Sequence, residues 1–133
     1  MSAERVRIHS PPSIAPPTGY SHIAEVRGGT LVFVAGQVAL DAAGALVGPG
    51  DYRAQAEQVF RNLGAALTAA GATFRDVVKL TIYVLDVAHL PEIREVRDRF
   101  VDPRRPPTST AVQVSRLFRP DVLVEIDAVA SIE

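Results

Sequence analysis

Residues 106–130, PPTSTAVQVSRLFRPDVLVEIDAVA, decide the fold. Thr110, Val112 and Val114 alternate with Ala111, Gln113 and Ser115. Beyond residues 117–120, Val124, Ile126, Ala128 and Ala130 alternate with Leu123, Glu125, Asp127 and Val129. A period of two marks a strand with two unlike faces. The segment therefore predicts two strands joined by a short loop. Two carboxylates, Glu125 and Asp127, share one face of the second strand, and such a face must meet water, a cation or a site.

Working outward, residues 77–85 (VVKLTIYVL) are rich in β-branched side chains and predict a further strand, with Lys79, Thr81 and Tyr83 on one face. Residues 51–70 predict a helix. Asp51 is a good N-cap, Gly71 supplies a left-handed stop, and Tyr52, Ala56, Val59, Phe60, Leu63, Leu67 and Ala70 form one apolar stripe. Residues 90–100 predict a second helix with Pro91 in its first turn and Ile93, Val96 and Phe100 on its apolar side. Glu92, Arg94, Glu95, Arg97, Asp98 and Arg99 read as a solvated charged face, with Glu95/Arg99 and Arg94/Asp98 spaced for ion pairs.

Toward the N-terminus, residues 5–9 predict a short edge strand, and residues 10–18, with four of the ten prolines, a loop. Residues 21–27 and 31–38 read as a hairpin turning at Gly28-Gly29-Thr30. The second run, apolar on both faces, predicts a strand inside a sheet, and Gly36 within it a bulge or a close backbone approach. Residues 41–50 are Gly-rich but lack P-loop and G-x-G-x-x-G spacing, so they read as a connecting loop. The order of elements is α+β: a mixed sheet with two helices on one face, a single domain over residues 1–133. Nothing in the chain covers the other sheet face, which predicts an oligomer.

Composition excludes several chemistries. With no cysteine, thiolate nucleophiles, disulfides and cysteine–zinc sites are absent. His9, His22 and His89 have no metal-ligand spacing, and no G-x-S-x-G elbow occurs. A net charge of −1 offers nucleic acid no electrostatic footprint. The first ten residues lack an apolar leader core, and no run is long enough to span a membrane, so the expectation is a soluble cytoplasmic protein. What remains is a non-nucleophilic site built from Tyr20, the Ala35-Gly36-Gln37 bend, Ser109 and Glu125, with Arg94, Arg104, Arg105 and Arg116 as candidates to hold an anion.

The set PPTGYSHIAEV, GGTLVFVAGQV, AEQVFRNLGAALTAAGATFRDVVKLTIYVLDV and PPTSTAVQVSRLFRPDVLVEIDAVA resembles the Rid (reactive intermediate deaminase) family, also called YjgF-like or L-PSP-like, from about residue 16 to residue 130. The resemblance implies a chorismate-mutase-like α+β fold assembled as a homotrimer around a central barrel. Small-molecule sites would lie in the three clefts between subunits, and neither metal nor organic cofactor would be used. It implies hydrolysis of reactive imines and enamines to carbonyl compounds and ammonia. The family tyrosine falls on Tyr20, closing the cleft, and the last-strand glutamate on Glu125, positioning water and accepting its proton. The backbone of Gly36 and Gln37 would line the pocket behind Ala35, where the family often has serine. Arg94 stands near the family's asparagine, and Ser109 and Thr110 begin the penultimate strand.

At Ser109 the deaminase branch has an arginine that forks onto the substrate carboxylate. A serine gives one neutral hydrogen bond there, so the resemblance implies an imine or enamine deaminase with an altered substrate. The alternatives are a non-enzymatic trimeric small-molecule-binding or regulatory protein and, last, an RNA-directed endoribonuclease.

Overall fold

The computed structural model describes residues 4–133. Its order is β1 (Val6–His9), β2 (Ile23–Val26), β3 (Thr30–Gln37), α1 (Tyr52–Ala69), β4 (Val77–Val84), α2 (Leu90–Arg97), β5 (Thr108–Gln113) and β6 (Val124–Ile132). A four-stranded sheet runs β3-β6-β4-β5. β6 is antiparallel to both its neighbours, while β4 and β5 are parallel, so the sheet is mixed. No helix among the described residues is long and apolar enough to cross a membrane.

Alternation sorts the sheet into two faces. Leu80, Ile82 and Val84 of β4 and Val124, Ile126, Ala128 and Ala130 of β6 are buried against α1 and α2. From the helices come Val59, Phe60, Leu63, Leu67, Ile93 and Val96, and Phe60 stacks on Phe100 with ring centroids 5.4 Å apart. Asp51 caps α1 by accepting from the Ala54 N–H at 3.0 Å, and Gly71 closes it at φ +78°. The other face carries Phe33 at 74% exposure and Leu31 at 51%, beside Tyr83, Glu125 and Asp127.

Four expectations need correction. β2 and β3 do not form a hairpin. Gly28 and Gly29, at φ +68° and +84°, separate them, so that β2 pairs with β1 while β3 pairs with the longer β6. β3 is an edge strand of this sheet rather than an interior one, and its apolar outer residues stand exposed. The connection between β5 and β6 runs over residues 114–123 rather than 117–120, because β4 lies between the two strands. Finally, α2 ends at Arg97, and Glu95 and Arg99 reach across to α1 instead of pairing with each other. Arg53 bonds Glu95 at 2.6 Å and Arg99 bonds Glu57, because the side-by-side helices bring those partners nearer.

Gln55 pins the long connections onto this frame. Fully buried on α1, it donates to the carbonyls of Gly48 (3.2 Å) and Asp121 (3.0 Å) and accepts from the Leu123 N–H (2.9 Å). Gln55→Met fills the space but leaves those backbone groups unpaired, so urea unfolding should show a loss of about 2–3 kcal/mol. An unchanged midpoint would mean that the loops are held by other contacts.

Candidate active site

Two constellations emerge, on opposite faces of the sheet. The first begins with Ser21, whose hydroxyl donates to the Pro106 carbonyl at 2.6 Å and whose N–H donates to the Pro107 carbonyl at 3.1 Å. This clasp sets Tyr20 beside the start of β5. There the parallel register places Ser109 opposite Leu80 and Ala111 opposite Ile82, so both share the helix-covered face. A recess of about 330 Å³ opens there, with Tyr20, Ile82, Ser109 and Thr110 in its wall and Arg94 and Arg97 entering from α2.

The second constellation lies on the open face. Glu125 stands opposite Tyr83, out of phase with the buried Leu80 and Ile82. Between Val34 and Gln37 the β3–β6 register slips by one residue, a bulge over Ala35 and Gly36. A Cβ built on Gly36 would overlap the Glu125 side chain, so with glycine the carboxylate can lie against the bulge, and a larger residue would displace it. Gln37 turns back to donate to the Ala35 carbonyl at 3.1 Å. The Tyr83 hydroxyl lies 3.5 Å from Asp127, whose charge, followed by partial desolvation, pushes its pKa up, so that the phenol stays neutral at neutral pH.

Tyr20, Arg94, Ser109 and Thr110 are thus brought together, and so are Ala35, Gly36 and Glu125, with Gln37 at the edge of the latter group. The two groups do not meet within one chain, since they occupy opposite faces and opposite edges of the sheet. Arg104 is folded onto Asp102 at 3.1 Å, Arg105 lines a separate depression beside Val101, and Arg116 is exposed on the loop before β6. Each histidine has a local partner: His9 bonds Glu25 at 2.6 Å, His22 the Ala15 carbonyl at 2.8 Å, and His89 stacks on Tyr52. Among the described residues no cluster of three metal-ligating side chains occurs.

Arg97 was missed. Read as part of a solvated face, it is 5% exposed. Its signal was its position: with Ile93, Val96 and Phe100 it completes the i, i+3, i+4, i+7 pattern of a buried helical face.

A family model described as Endoribonuclease L-PSP matches residues 10–132. The chain belongs to this family, the Rid proteins. It is 41% identical over 129 residues to Protein DfrA of Myxococcus xanthus, covering 95% of each chain. To a 2-iminobutanoate/2-iminopropanoate deaminase of Dermatophagoides farinae it is 34% identical over 128 residues, covering 96% of this chain and 97% of that one. The Rid-family protein YyfB of Yersinia pestis superposes with a TM-score of 0.90 at 38% identity, covering 97% and 100% of the two chains. Escherichia coli TdcF, solved with bound serine, superposes at 0.70 with 30% identity, covering 98% and 100%. The Rid fold assignment therefore stands on sequence and structure alike.

In this Rid chain the contact between Gly36 and Glu125 is testable by itself. Gly36→Ala should destabilise the protein, and most of that cost should vanish in a Glu125→Ala background, a coupling of about 1 kcal/mol in a double-mutant cycle. Additive effects would mean that the bulge tolerates a Cβ without moving the carboxylate.

Proposed function

We propose that this single-domain chain is a cytoplasmic, cofactor-free hydrolase of reactive imines or enamines, acting as a homotrimer with a site in each cleft between copies. The observation that carries the reading is the division of the candidate residues. Glu125 and Gly36 lie on the open face, and Tyr20 and Ser109 beside the recess on the other. A second copy laid on the open face supplies the missing half and also covers Phe33 and Leu31. The name of the Dermatophagoides relative supports the reaction class.

In the proposed reaction an enamine first takes a proton on carbon and gives one up from nitrogen to become the imine. Water then adds to the C=N carbon as Glu125 accepts its proton. The nitrogen takes that proton to give the carbinolamine C(OH)NH₂, whose hydroxyl proton then passes through Glu125 to the nitrogen as the C–N bond breaks, so C=NH and water become C=O and NH₃. Tyr20 closes the cleft against bulk water. The peptide groups around Gly36 and Gln37 hold the polar end of the substrate, and Ser109 contributes one hydroxyl.

Ser109 is the observation that favours a second reading, a trimeric small-molecule-binding or regulatory protein without chemistry. One assay separates the two. An amino-acid oxidase generates a 2-imino acid in semicarbazide, and an active hydrolase lowers semicarbazone formation by consuming the imine first. The wild type should do so, and Glu125→Gln should lower the rate by about 100-fold or more. Ligand binding without hydrolysis would favour the binding protein, and full activity in Glu125→Gln would remove Glu125 from the mechanism.

A further inference from the structure

We propose that Arg5, Arg75 and Arg105 form a binding site for a phosphate group, at the far end of β6 from Glu125. Arg105, expected from the sequence to hold an anion, stands in the loop before β5. Arg75 lies in the 3-10 turn Phe74–Asp76 that leads into β4, and Arg5 immediately precedes β1. With Glu4, Asp76 and Ser131 they line a depression of about 300 Å³. It has no residue in common with the recess beside Ser109 and is a separate place on the molecule.

The three guanidiniums meet there without an anionic partner. Every ion pair among the described residues engages other cations than these three. Arg5 donates to the Ser131 hydroxyl at 2.5 Å and to its carbonyl at 3.1 Å, and Arg105 to the Val6 carbonyl at 3.4 Å. The two carboxylates in the wall leave the arginines unneutralised. Asp76 accepts from the Thr73 N–H at 2.8 Å, and Glu4 is exposed. Asp102, the next acid along, is held by Arg104 at 3.1 and 3.3 Å. A guanidinium has five donors and keeps its charge at any working pH, so most of the donors of all three remain to be used.

The arrangement selects the shape of the anion. A planar carboxylate has two oxygens and serves one fork, whereas a phosphate group presents oxygens in several directions. Guanidiniums arriving from three separate segments match the second. Arg5 is already fixed in place: a Cβ on Gly29 would come 2.7 Å from its Nη1, and its bonds to Ser131 hold the fork. Arg75 and Arg105 are exposed and free to close on a ligand. Behind them lies an apolar hollow of about 30 Å³ between Phe74, Val77, Val101 and Pro107, with room for one small group at most.

The test is calorimetric titration of the full chain with inorganic phosphate in a low-salt buffer. Binding should be on the order of millimolar, weaken as chloride is raised, and exceed acetate binding by about tenfold. Arg75→Gln and Arg105→Gln should each weaken phosphate about tenfold, while Arg61→Gln, on the exposed side of α1, should leave it unchanged. Arg75→Lys keeps the charge without the fork, guards against a folding defect in the glutamine variant, and should lose about threefold. Methyl phosphate, whose methyl group suits the hollow, separates two sources of the same chemistry. Tighter binding than inorganic phosphate assigns the site to a phosphate ester, weaker binding to free phosphate, and either bears the proposal out. Absence of phosphate binding would overturn it, as would acetate binding of equal strength or full affinity in both glutamine variants. Imine hydrolysis, measured separately, does not enter these outcomes.

Discussion

The structure depends on a four-stranded sheet of which only one face is covered. Both helices pack on the side of Leu80, Ile82, Ile126 and Ala128, and among the described residues no helix or strand covers Leu31, Phe33, Tyr83 and Glu125 on the other side. Apolar side chains as exposed as Phe33 are costly when they form a patch, at roughly 25 cal/mol for each Å² kept from burial. A second copy on that face would remove the cost. The same alternation that leaves the patch open also puts Glu125 on it and Ser109 on the opposite side. The proposed assembly and the proposed site would thus both follow from one period-two pattern.

Electrostatics divides the same way. On the open face Asp127, then partial desolvation and last Glu125, raise the Tyr83 pKa, with Lys79 on the same face. The recess at the β5 edge gathers arginines. In the proposed cleft the recess would bring its arginines, Arg97 already paired with Asp98, and the open face would bring the Glu125 carboxylate.

Much of this was legible in the sequence, and the exceptions share a cause. The two helices, β4 and β6 follow from periodicity and caps, as does the bulge at Gly36, because each is a local property. Partner choice is not local. Gly28-Gly29 looks like a hairpin turn, yet β2 finds β1 and β3 finds β6. Likewise the division of the site became visible only with the parallel β4–β5 register, which sets Ser109 beside Leu80. Arg97 escaped because a charge was read as solvated although its spacing from Ile93 and Val96 put it on the buried side. Position outweighed residue type.

The central claim is that each site takes residues from two copies. Subunit mixing tests it most directly. Glu125→Gln disables one half, and Ser109→Trp fills the recess of the other. The two inactive variants would be unfolded together, refolded at equal ratio, and assayed for imine hydrolysis. Random assembly should return about a quarter of wild-type activity, because that share of clefts receives two intact halves. If the mixture stays as inactive as its components, the site lies within one chain and the account is wrong.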